Sequence, residues 1–217
     1  MLTLAEDILL LLLDDESGEL ANIDLMTLNY AMAGAVLMDL GLKNRIDNDL
    51  EKLIVADSTP TGIAMLDKYL QKINSENNDN NTRFWLTELS NYGEEIMDSA
   101  IEMLIDKKIL KMEEKKFLWV IGTRVYPMID DTEEKEVKKR IIDLLMSDDI
   151  PSPKDVVLVS LMDTCSLFTT FLSEKEVERL SDRIELIKKL DLIAQEVTNV
   201  LERLRSDIAE AMLMLPT

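Results

Sequence analysis

Residues 25–42, "LMTLNYAMAGAVLMDLGL", contain a single charge, Asp39, and are apolar on nearly every side of a helix with 3.6 residues per turn. A helix without a polar face must be covered all round, so this segment predicts a central helix with the remainder of the chain packed about it. The chain has the material for that: 217 residues, 47% of them hydrophobic, are enough to bury a substantial core. A single domain across residues 1–217 is the expectation.

The other strongly apolar stretch lies at the start, in "LTLAEDILLLLLDDESGEL". Its uninterrupted apolar run is far shorter than the roughly 20 residues a transmembrane helix needs, and Glu6 and Asp7 precede it where a signal peptide would be basic. It reads as a soluble helix. Thr3 and Glu6 have capping-box spacing, in which hydroxyl and carboxylate satisfy the free amides of a helix start, while Asp14, Asp15, Ser17 and Gly18 end it.

Glycine and proline are scarce and apolar residues recur at three- and four-residue steps, which predicts an all-α class: a compact multi-helix domain with a buried central helix. "STPTG" is a turn before an amphipathic helix whose stripe is Ile63, Leu66 and Leu70, and "NSENNDNNT" is a solvated loop. Helices follow at "TRFWLTELS" and at residues 94–108. Residues 110–121 form the one projecting β-hairpin, two apolar runs around a charged turn at residues 113–116. Next come the helix "EEKEVKKRIIDLLM", a start with Ser152 as N-cap and Pro153 at the first helical position, and a capping box at Ser173 and Glu176. The apolar periodicity that follows, from Val177 to Ile208, predicts one broken helix or two consecutive ones.

Several function classes are disfavoured. The chain has no histidine, which removes Ser-His and Cys-His catalytic pairs and the commonest zinc ligand. Cys165 is alone in an apolar setting and reads as a structural thiol, and no glycine-rich phosphate loop is present. The acid pairs Asp14/Asp15, Asp130/Asp131 and Asp148/Asp149 fall at helix boundaries, where capping explains them. No catalytic residue, metal ligand or cofactor site is assigned, and the chain reads as a non-enzyme. Its formal net charge of −19 opposes phosphate backbones. Residues 82–121 have the order of a winged helix, but the would-be recognition helix carries Glu94, Glu95, Asp98, Glu102 and Asp106, so no nucleic-acid partner is expected. One basic cluster differs from the rest: Lys115 and Lys116 adjoin Phe117, Leu118 and Trp119, a mixture of cation and interfacial aromatic suited to a bilayer surface or to a second copy of the chain. These five residues are the candidate membrane-contact or self-association site.

The order of segments resembles the Golgi phosphoprotein 3 family over nearly the whole chain. The resemblance rests on "LTLAEDILLLLLDDESGEL", "AGAVLMDLGLKNRI", "STPTGIAMLD", "LIDKKIL" running into "EEKKFLWVI", and "YPMIDD" before "VKKRII". It implies a mainly helical domain with a projecting hairpin, no enzymatic activity, and peripheral attachment to a membrane through phosphatidylinositol 4-phosphate; Golgi members also bind cytoplasmic tails of glycosyltransferases. The family's headgroup pocket uses a tryptophan before the central helix, an arginine within it and two arginines on the helix before the hairpin. Those positions fall here at Ile23 or Asp24, at Ala33, and at Glu94 and Met97. The expectation is therefore a cytoplasmic peripheral adaptor with weak or absent phosphoinositide affinity. The alternative is an acidic module that captures basic tails of membrane proteins without lipid recognition.

Overall fold

The computed structural model describes residues 2–14, 17–21, 23–48, 52–76, 80–115, 123–164, 166–190, 195–196, 199–200 and 203. Among them are eight α-helices: α1 (Leu4–Leu12), α2 (Leu25–Leu42), α3 (Ala64–Ser75), α4 (Thr82–Ser90), α5 (Gly93–Asp106), α6 (Thr132–Met146), α7 (Pro153–Thr164) and α8 (Glu174–Lys188). Two antiparallel ribbons accompany them, β1 (Ile46–Asn48) with β2 (Leu53–Val55) and β3 (Glu113–Lys115) with β4 (Thr123–Val125). The all-α class holds, and α2 is the central helix. It packs against α1, α3, α4, α5 and α7, and its residues from Tyr30 to Leu40 are all buried. By length and composition α2 is apolar enough to cross a bilayer, but here protein covers most of its surface.

α1 is buried along its entire length, including the acids of its first turn. The predicted capping box is present: Glu6 N–H donates to Thr3 Oγ1, and the Glu6 carboxylate accepts from Thr3 N–H at 2.8 Å. A buried carboxylate left unpaired is costly, and each acid of this region has a partner from a distant element. Lys107, just past α5, pairs with Glu6, and Lys154 on α7 pairs with Asp7 while also donating to the Leu2 carbonyl at 2.7 Å. Asp39, the one charge of α2, accepts the Leu4 N–H at 2.8 Å and so caps α1 from another helix.

The hairpin differs in register from the expectation. Glu113 opposes Val125, and Lys115 opposes Thr123, so the charged run at 113–115 is strand and not turn. The cause lies at the base of the hairpin, where Lys111 N–H donates to the Pro127 carbonyl at 3.1 Å and Leu110 bridges Met128. Tyr126 N–H donates to the Gly18 carbonyl at 2.8 Å, which ties the hairpin to the α1–α2 connection. The β1–β2 ribbon was not expected; its strands are three residues long, too short to show alternation, and β1 contains Asp47 and Asn48. α8 ends at Lys188, which fits a break in the C-terminal periodicity. Cys165 lies outside the described residues.

Two outcomes are expected. Gly18 has φ +67°, and a Cβ there would sit 2.4 Å from Pro127 N. Gly18→Ala should therefore cost on the order of 1–3 kcal/mol and speed amide exchange at Tyr126; unchanged stability and exchange would contradict the clamp. The second outcome concerns Asp39, whose carboxyl burial raises from 3.8 to about 6 against the pull of the Leu4 amide and Lys154. Between those values the folded chain keeps a proton that the unfolded chain has lost, so this group's contribution to stability falls as pH rises through about 6. Asp39→Asn preserves an acceptor for Leu4 and removes the titration. Urea unfolding at about pH 4.5 and about pH 7.5 should show wild type losing on the order of 1–3 kcal/mol more than the variant across that interval. Equal losses would refute the assignment.

Candidate functional site

α2 and α5 cross with very little clearance, because a Cβ on Gly93 would lie 2.4–2.5 Å from Asn29 atoms. Small residues permit this kind of backbone approach. Along the chain, Asp24 precedes and Ala33 follows Asn29, and Glu94 and Met97 follow Gly93 on α5. Asp24 is the N-cap of α2, its Oδ1 accepting the Thr27 N–H at 2.8 Å. Ile23 and Met97 are half-buried against the core, and Ala33 is wholly buried. Glu94 is exposed in the first turn of α5, where a carboxylate complements the positive end of the helix.

The cations closest to this crossing are already engaged. Lys68 pairs with Glu95, whose carboxylate also accepts from the Tyr69 hydroxyl at 3.3 Å. Lys72 pairs with Glu76 at 2.8 Å and Glu88 at 2.9 Å and lies 5.2 Å from the centre of the Tyr92 ring. An anionic headgroup arriving here would meet Glu94, Glu95 and Asp98 and would have to break these pairs.

Of the hairpin candidates, Lys115 is placed by its backbone opposite Thr123, while its side chain and Lys116, Phe117, Leu118 and Trp119 lie outside the described residues. No group of three or more histidine, cysteine, aspartate or glutamate side chains among the described residues is arranged to hold a metal ion. Among the described residues, surface cavities include one of about 680 Å³ beside the end of α1, one of about 460 Å³ between the start of α3 and α5, and one of about 400 Å³ at the α6–α7 connection.

What the sequence reading missed is the pairing of buried charges: Glu6 with Lys107, Asp7 with Lys154, and Arg140 on α6 with Asp155 on α7 at 2.8 Å. The available signal was the position of Glu6 and Asp7 on a helix whose every other residue is apolar.

These features define a mainly helical protein whose central helix is mostly enclosed and whose hairpin is clamped at its base. The family model described as Golgi phosphoprotein 3 (GPP34) matches residues 4–204, and the chain belongs to that family. No curated protein matches it.

Ala33 and Glu94 differ in how they would tolerate an arginine. Ala33→Arg forces a guanidinium into a packed core and should cost on the order of 3–5 kcal/mol, whereas Glu94→Arg at an exposed site should leave thermal stability nearly unchanged. Similar melting curves for the two variants would contradict the placement of Ala33.

Proposed function

We propose that this chain is a non-enzymatic peripheral membrane adaptor of the Golgi phosphoprotein 3 type, acting at a cytoplasmic membrane surface without relying on a phosphatidylinositol 4-phosphate headgroup pocket. The observation that carries the proposal is the α2–α5 crossing. In a member of this family, the positions expected to hold cations are a buried alanine, an exposed glutamate and a half-buried methionine. A glutamate at the rim repels phosphate, and the neighbouring lysines are held by glutamates.

A second reading is favoured by the charge of the surface: this is an acidic module that captures basic tails of membrane proteins. The formal net charge is −19, and the lysines on α3 and α7 are spent on internal pairs. Contacts of this kind lie on the surface, so they are screened beyond roughly 8–10 Å at physiological ionic strength.

Liposome flotation separates the readings. Phosphatidylinositol 4-phosphate is expected to add little to flotation of the wild-type protein; tight, headgroup-specific recruitment would overturn the proposal. For the basic-tail reading, affinity for a lysine- and arginine-rich peptide should fall steeply with added salt, and a salt-independent affinity would contradict it.

For the hairpin we propose a contact role, with Lys115 and Lys116 meeting anionic headgroups or the acidic surface of a second copy, and Phe117, Leu118 or Trp119 buried there at about 25 cal/mol per Å². Replacing residues 113–123 by a short glycine-serine turn should lower either the solution mass or liposome association. A folded variant that loses neither assigns the hairpin to structure alone.

A further inference from the structure

Three carboxylates lie buried around the first turn of α1: Glu6 and Asp7 on the helix itself, and Asp39, which reaches it from α2. Two ammonium groups answer them, Lys107 at 2.5 Å from Glu6 and Lys154 at 2.5 Å from Asp7. The charges acting on Asp39 are that same Lys154, then Asp7, then Lys43 at the end of its own helix. Neighbouring charges are held elsewhere. Arg140, which acts on Asp7 from α6, binds Asp155 at 2.8 Å, Glu134 on α6 pairs with Lys138, and Arg45, just past α2, binds Asp57 at 2.8 Å.

With all three carboxylates ionised, the cluster holds one more negative charge than positive in a site closed to water. Desolvated like charges resist full ionisation, so one carboxyl keeps its proton while the site stays closed. Asp7 has a direct ammonium partner, whereas the direct partner of Asp39 is the Leu4 amide. Asp39 is therefore the group that holds the proton, and burial carries its carboxyl from 3.8 up to about 6.

Both ends of α1 reach the hairpin. At the first turn Glu6 holds Lys107, and two residues further on the Ile109 carbonyl accepts the Ile129 N–H at 2.8 Å. At the other end Leu13 bridges Leu20, and between them the Gly18 carbonyl accepts the Tyr126 N–H at 2.8 Å. A helix buried along its whole length moves as a unit, because a packed core shifts between discrete arrangements and does not deform gradually. Admitting water to the cluster withdraws the first turn of α1 from α2 and α7, and the contacts at the base of the hairpin go with it.

We propose that this buried cluster is a proton-operated latch for the hairpin: with Asp39 neutral, α1 is seated and the hairpin base is held, and when Asp39 ionises, the first turn of α1 opens to solvent and the hairpin base loosens. The direction follows from linkage. The closed site holds the carboxyl near 6 and the open site returns it to 3.8, so closure is favoured most below 3.8, and that preference is lost as the pH rises through about 6.

Hydrogen exchange of the full chain at about pH 5 and about pH 7.5, corrected for the intrinsic pH dependence of amide exchange, tests the latch in wild type and in Asp39→Asn. The amides of Tyr126 and Ile129 report the hairpin base, and those of Ala35 and Leu37 at the centre of α2 report global unfolding. In wild type the hairpin-base amides should exchange faster than the α2 amides, and their protection should fall about tenfold from the lower pH to the higher. In the variant, which has no proton to lose there, the fall should be at most about twofold. Protection at Tyr126 and Ile129 that does not change with pH in wild type would overturn the proposal. So would exchange of these amides at the same rate as Ala35 and Leu37, because the hairpin base would then open only when the whole chain unfolds. An equal fall in Asp39→Asn would place the proton on another group and overturn the assignment. The first two results are read from wild type alone, and none depends on what the hairpin touches.

Discussion

Two adjacent carboxylates in the first turn of a fully buried helix set conditions that much of the structure meets. Glu6 and Asp7 lie within an otherwise apolar α1, and burying them unpaired would cost several kcal/mol each. Lys107 and Lys154 supply the counter-charges, and Asp39 supplies an acceptor for the Leu4 amide. These contacts fix the end of α5, the start of α7 and the C-terminal half of α2 relative to one helix end. The ion pairs need not raise stability above that of an apolar core, but breaking any one strands a buried charge. The result is one shared anchor for four helices.

That arrangement positions the surfaces that matter for function. With α5 held at its C-terminal end by Lys107, its N-terminal end meets α2 where Gly93 closes on Asn29. Just after Lys107 the chain turns at Ile109, which accepts from Ile129 N–H at 2.8 Å, and enters the clamped base of the hairpin. The same helix therefore carries Glu94 and Met97 near one end and leads into the hairpin at the other.

Features governed by neighbours in sequence were legible, and features governed by distant partners were not. The Thr3/Glu6 and Ser173/Glu176 capping boxes, the Ser152 cap before Pro153, and the enclosed α2 all follow from spacing within a few residues. The hairpin was legible as an element, yet its register is set by the Lys111–Pro127 and Leu110–Met128 pairs at its base, and its tie to Gly18 joins residues more than a hundred positions apart, which no local pattern carries. The β1–β2 ribbon escaped because strands of three residues, with Asp47 and Asn48 in one of them, show no periodicity. The family resemblance pointed to Ile23 or Asp24, Ala33, Glu94 and Met97, but only the structure distinguishes Ala33, closed within the core, from Glu94, open to solvent.

The chain belongs to the Golgi phosphoprotein 3 family, and the proposal that it does without a phosphoinositide pocket turns on the α2–α5 crossing. Titrating soluble, short-chain phosphatidylinositol 4-phosphate into isotopically labelled protein, and following the backbone amides of Asn29, Gly93, Glu94 and Met97 by NMR, addresses it directly. The account predicts no saturable shift at these amides. Saturable shifts centred on them would show that the pocket persists and would contradict the account.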